Sequence, residues 1–237
     1  MSRETENVLL LLVGLSGVMI VLTGTYTRYV KASLMPWLLA GAVVIALLAA
    51  AAIIRDIRRG GPTDRHGEHH HRSRMVWLLV VPVIVLTFIK PPPIGAKAAE
   101  TTVTPVSAGA SHRPFPPLPA GRAPEVALPD VLMRVAQDSA GTLDGRLITV
   151  RGFTMRDGDR VDLARVVIIC CAADAQLARI RLGGPAAAQA AAYPEDSWLR
   201  IEGEVGDGQN DPASRTLPEL TVQVLTPIAA PPNTYAY

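Results

Sequence analysis

The chain has 237 residues, 49% of them hydrophobic, 5% aromatic and only 19% charged, against roughly 25% charged in an ordinary soluble domain. Its net charge of +2 conceals two opposed halves: residues 1–124 carry 13 Lys/Arg and 6 Asp/Glu, and residues 125–237 carry 10 and 15. The apolar residues gather in three runs within the first 89 positions, which excludes a simple soluble protein, and two adjacent cysteines exclude a disulfide-built scaffold.

The first run is Asn7 to Gly24 and the second Met35 to Ile54, both uncharged. Each approaches the roughly 20 residues that a helix needs to cross the hydrocarbon core, where a spanning segment must satisfy its own backbone hydrogen bonds. The third, Met75 to Ile89, contains Pro82 and reaches only about 22 Å as a helix, with Lys90 able to snorkel. The expectation for residues 1–90 is therefore a three-span α-helical membrane region. Loop 55–74 holds six arginines, whereas the loop between the first two runs holds only Arg28 and Lys31. The basic bias predicts loop 55–74 to be cytoplasmic. Three crossings then make a multi-pass plasma-membrane protein with an extracytoplasmic C-terminal domain. Ala96-Lys97-Ala98 resembles a signal-peptidase site behind the third run, although its internal position argues against cleavage.

Residues 91–124 hold nine of the 20 prolines and show little periodicity. This is the composition of a semi-rigid, extended linker.

From residue 125 the pattern turns globular. A helix is predicted over 128–138, with Leu128, Val131, Leu132 and Val135 on one face. Strands follow over 145–155, 161–169 and 176–182, then a short Ala-rich helix over 185–192, then strands over 198–205 and 220–225. Helix, three strands, short helix and two strands suit a small, mostly-β, five-stranded OB-like domain over 125–237; an α+β sandwich is the rival. Gly152 and Gly203 supply the bends that such a barrel requires. Nucleic acid is not an expected ligand. The domain is acidic, and its aromatics are only Phe153, Tyr193, Trp198, Tyr235 and Tyr237, whereas strand binding requires a basic groove with stacking platforms.

Two constellations suggest chemistry. His66, His69, His70 and His71 lie with Asp64 and Glu68 in loop 55–74, and neutral imidazoles bind zinc, copper or nickel. A merely solvated loop is the competing reading, since the surrounding arginines repel a cation. Cys170 and Cys171 lie close to Asp174. Two thiolates capture soft transition metals or perform thiol redox chemistry. On a regular strand, however, neighbouring side chains point to opposite faces, so only a bulge or strand end lets both thiols meet one ion. The alternative is one buried cysteine and an Asp174 that caps a turn. No charged residue lies within the first two runs, so no ion pathway is visible there. No phosphate-binding loop, zinc-protease motif or serine-nucleophile motif occurs. All five histidines precede residue 125, which deprives the globular domain of an imidazole base. An enzyme is not expected.

The three apolar runs, the His-rich loop before the third and the segment Ile168-Ile169-Cys170-Cys171-Ala172-Ala173-Asp174-Ala175 together resemble the YcgQ-type permease-subunit family of bacteria. Gly145 to Phe153, Trp198 to Gly203 and the terminal Pro-to-Tyr segment fit the same pattern. The resemblance implies a membrane-embedded N-terminal region, a C-terminal OB-like domain and a polytopic permease subunit as partner. The leading expectation is a membrane-anchored accessory subunit of a permease complex in the lipid bilayer. The alternative is an extracytoplasmic thiol- or metal-binding module tethered to the membrane, with a transition metal as its only expected cofactor.

Overall fold

The computed structural model describes residues 3–58, 94–96, 104–105, 113–206 and 217–236. The chain divides into two compact units, Met1–Pro92 and Pro93–Tyr237.

In the first unit, α1 (Arg3–Leu22) and α2 (Met35–Arg58) pack against one another. The link between them contains two 3-10 turns, Thr25–Arg28 and Ala32–Leu34. Gly24 ends the first helix in a left-handed conformation, φ 72°, which glycine adopts without a Cβ penalty. Small residues make the contact. A Cβ on Gly14 would lie 2.7 Å from the Ala46 nitrogen, and one on Gly17 would lie 2.9 Å from Ala42 Cβ. Such close backbone approach is how apolar helices associate where no water drives them together. At the opposite end from the link, Asn7 Nδ2 donates to Asp56 Oδ2 at 3.2 Å. Leu15, Met19, Leu22, Trp37, Leu47, Leu48 and Ile57 remain exposed.

The second unit is built on a mixed sheet. Its strands are β1 (Thr104–Pro105), β2 (Leu147–Asp157), β3 (Arg160–Val167), β4 (Gln176–Gly183), β5 (Trp198–Val205), β6 (Glu219–Pro227) and β7 (Tyr235–Ala236), in the order β1-β4-β6-β5-β2-β3-β7 with a further β3–β4 pairing. That pairing returns the sheet on itself, so β2 to β6 close a ring. Helix α3 (Leu128–Gln137) and the short α4 (Ala187–Ala190) accompany it. The alternating pattern of the strands fills the interior with Ile148, Val150, Leu163, Ile180, Leu199, Ile201 and Leu220, all essentially inaccessible. The α3 face at Leu128 and Val131 joins this core. Glycine is required on the curved walls. A Cβ on Gly152 would meet the Ala164 carbonyl at 2.5 Å, and one on Gly203, beside the β5–β6 irregularity, would meet the Thr221 carbonyl at 2.5 Å.

A second apolar cluster, outside the first, contains Ala96, Phe153, Met155, Val166, Ile168, Leu177 and Tyr235. Beside it Asp162, wholly buried on β3, is held by Arg179 and faces Arg181.

The expected fold class, three spans plus a five-stranded OB-like domain, is not the architecture of this chain. Among the described residues one helix, Ala32–Arg58, is long and apolar enough to cross a membrane, and the apolar part of α1 is the shorter Glu6–Leu22. Arg3, Glu4 and Glu6 occupy the opening turns of α1, and Gly24 stops it, so the apolar stretch cannot lengthen at either end. The third run, Met75 to Ile89, lies outside the described residues. The C-terminal sheet is seven-stranded and mixed: β1 pairs β4, β7 pairs β3 and β4 pairs β6 in parallel. The two extra strands come from a proline-rich stretch and the tail. Two residues of main-chain pairing leave no hydrophobic period to read. Much of the expected linker is also bound to this unit. Arg113 bridges to Asp138, and the Pro124 carbonyl accepts from the Thr149 N–H.

Candidate functional site

The sequence brings Cys170, Cys171 and Asp174 together by ending a strand. β3 stops at Val167 and β4 begins at Gln176, and between them Ala172–Asp174 forms a 3-10 turn. Two consecutive alanines and a short acidic side chain suit such a turn, because Asp reaches its own backbone where a longer acid would overshoot. The Asp174 carboxylate accepts three main-chain N–H groups: Ile169 on Oδ1 at 2.8 Å, and Cys170 and Cys171 on Oδ2 at 2.8 and 3.1 Å. The Asp174 N–H in turn bonds the Cys171 carbonyl at 3.0 Å. The same N–H also meets the Cys171 side chain, which with the Cys171 N–H on the Asp174 carboxylate makes a capping box in which Cys171 takes the Ser/Thr place.

The turn removes the objection that neighbouring side chains on a strand diverge. One ligand atom from each of Cys170, Cys171 and Asp174 falls within 4.8 Å of the others. Cys170 is exposed and Cys171 half-buried, and both are free thiols. Capping and convergence occur together here.

The electrostatics follow from the same contacts. The hydrogen bond from the Cys170 thiol, opposed by desolvation and helped by the three backbone donors, holds Asp174 down at about 2. Conversely, the bond to Asp174, then that to Cys171, pushes the Cys170 thiol up to about 11. A thiol so placed is protonated at neutral pH and is a poor nucleophile, because the thiolate is the reacting form. This disfavours attack by Cys170 itself. A cation is a different matter. It would displace the thiol protons, and Cys170, Cys171 and Asp174 would offer it two soft sulfurs beside a hard carboxylate.

The four histidines of loop 55–74, His66, His69, His70 and His71, lie outside the described residues, as does His112. What sequence reasoning missed is the framing of the cysteine loop. Ile168 N–H donates to the Ala236 carbonyl at 3.0 Å, and β1 pairs with Gln176 and Leu177. The one available signal was the pair of tail tyrosines, Tyr235 and Tyr237, in an alanine- and proline-rich segment.

An apolar helix pair, one helix of which is long enough to cross a membrane, and a β unit that presents a dithiol–carboxylate loop define a two-part protein. The chain belongs to the DUF1980 family: residues 7–103 match the DUF1980 N-terminal domain and residues 131–237 the DUF1980 C-terminal domain. No curated protein and no solved structure matches it.

Proposed function

We propose that this chain is a membrane-anchored accessory subunit that captures a thiophilic transition-metal cation at Cys170, Cys171 and Asp174 for a polytopic permease partner. The observation that carries the reading is the convergence of two thiols and a carboxylate within 4.8 Å on an accessible loop. Ala32–Arg58, near the N-terminus, has the length and composition shared by membrane anchors and signal sequences. Here it is the anchor, with its Arg55 and Arg58 end on the cytoplasmic side. The exposed leucines and Trp37 of the helix pair meet lipid and the partner.

Soft thiolates select copper(I) or zinc, and the carboxylate favours the divalent ion. The raised Cys170 thiol makes capture pH-dependent, since each bound cation must displace protons. Three ligands leave a coordination position open, which suits a subunit that receives and releases its cargo.

The test is a titration of the detergent-solubilised full chain with Zn(II), and separately with Cu(I), against a chromophoric competitor. Three proteins are compared: the wild type, the double variant Cys170→Ser/Cys171→Ser, and a variant with His66, His69, His70 and His71 all replaced by Ala. One cation per chain that survives in the histidine variant and disappears in the serine variant supports the site. Equal affinity in the wild type and the serine variant removes it. A mild-detergent pull-down from native membranes tests the partner: a stoichiometric polytopic permease supports the subunit reading, and recovery of the chain alone counts against it.

A further inference from the structure

One row of the sheet lies directly beneath the cysteine loop. Val167, the last residue of β3, is in register with Gln176, the first of β4, and also with Ala236 of β7. Gln176 is in register with Thr104 of β1. Ala236, Val167, Gln176 and Thr104 thus form a four-strand row from which residues 168–175 rise. The two flanking strands come from segments whose composition gives no reason to be strands, and each pairs only at this base. β7 then makes one further bond, Ile168 N–H to the Ala236 carbonyl, and the very next amide, that of Ile169, donates to Asp174.

Tyr235 locks the tail strand. It is 3% exposed within the outer apolar cluster. Its hydroxyl accepts the Ile94 N–H at 3.0 Å, and the Ala96 N–H bonds Asp196 Oδ1 at 2.5 Å. Arg165 donates to the Asn233 and Tyr235 carbonyls, each at 3.2 Å, and its guanidinium lies 4.9 Å from the Trp198 ring centre. Three hydrogen bonds, linked by the covalent steps Tyr235–Ala236 and Ile168–Ile169, therefore connect Ile94 to the cysteine loop.

We infer that β1 and β7 are a brace that sets the geometry of the cysteine loop, with Tyr235 as a positioning residue that couples segment 94–96 to the cation ligands. This rests on the cation-binding reading given above. The physical reason is that two adjacent thiols converge only while the strand is broken at one place. The end of a two-stranded hairpin frays readily, and a one-residue slip turns each side chain to the other face. Main-chain pairing on both outer edges removes that freedom. Because the path begins at Ile94, just past residue 93, displacement of that segment loosens the ligands.

The experiment uses the full chain with Tyr235→Phe, which keeps the ring and removes the hydroxyl. Leu163→Val in the inner core serves as a control for plain destabilisation. Three quantities are read: hydrogen exchange of the Ile169, Cys170 and Cys171 amides, Zn(II) affinity and the thermal midpoint. In Tyr235→Phe those three amides, which donate to Asp174, should exchange about tenfold faster, and Zn(II) affinity should drop about tenfold, the low end for a change outside the ligands themselves. Leu163→Val should lower the thermal midpoint and leave the other two readings alone. Unchanged exchange and unchanged affinity in Tyr235→Phe would overturn the inference while leaving the cation site standing. A wild type that binds no Zn(II), with exchange that still rises in Tyr235→Phe, would instead overturn the cation reading and keep the brace.

Discussion

Replacing Asp174 by Asn tests the electrostatics of the loop most directly. The carboxylate accepts three backbone N–H groups and the Cys170 thiol, and that last bond is the chief reason the thiol stands near 11 instead of its ordinary 9.0. An amide keeps one acceptor oxygen but carries no charge, so it no longer opposes ionisation of the thiol. If the midpoint returns to its ordinary position, the thiolate fraction of Cys170 at pH 8 rises about a hundredfold, a factor of ten for each pH unit. Because only the thiolate alkylates, the iodoacetamide rate at pH 8 should rise toward that bound, moderated by the lower nucleophilicity of a less basic sulfur. Cys170 and Cys171 are adjacent and share any peptide, so tandem mass spectrometry that breaks the bond between them assigns the modification. An alkylation midpoint at or above that of the wild type would refute the reasoning, because it would mean that Asp174 does not hold the thiol protonated.

Four further outcomes are expected. The Cys170 thiol is raised in the folded state, so its contribution to stability is complete below about pH 9 and is lost as pH rises through about 11; thermal midpoints measured across that window should decline less in Cys170→Ser than in the wild type. Burial would raise Asp138, but bonds from the Thr142 hydroxyl and the Thr142, Ala140 and Phe115 amides hold it at about 2; Asp138→Ala should cost about 1–3 kcal/mol in urea unfolding at pH 7. Gly152→Ala drives a methyl into the Ala164 carbonyl and Leu163 and should cost about 1–3 kcal/mol in the same assay. Gly14→Leu should part α1 from α2, read as loss of oxidative cross-linking between cysteines placed at Asn7 and Asp56, which lie in hydrogen-bond contact; undiminished cross-linking would contradict the packing described.

Much of the second unit was legible because its residues alternate. The strand Trp198–Val205 matches the expected bounds, and the predicted bends at Gly152 and Gly203 coincide with backbone that tolerates no Cβ. The helix over 128–137 follows from the apolar spacing of Leu128 and Val131. What escaped was held by main chain instead of by pattern. Thr104–Pro105 and Tyr235–Ala236 pair through two residues each, too few for any period, and proline argued against a strand in both neighbourhoods. The membrane region erred in the opposite direction. By composition the first run extends from Asn7 to Gly24, whereas α1 ends at Leu22 before the left-handed Gly24, which leaves only Glu6–Leu22 as its apolar part. At the site, residue type and proximity identified Cys170, Cys171 and Asp174, but the strand rule set the two thiols apart. Their convergence depends on the turn at Ala172–Asp174, which sequence spacing alone did not fix.

The bond between Ile94 and Tyr235 joins positions 141 residues apart, and this imposes an order on assembly. A ribosome releases chain from the N-terminus at about 5–20 residues per second, so β3 and β4 emerge well before β7 exists. Until residues 235–236 are made, the outer edge of β3 lacks its last partner, an open template for pairing with another chain. Contacts this distant in sequence also make for slow folding. The nascent domain thus displays its two thiols on an unsupported hairpin until the tail closes over the edge.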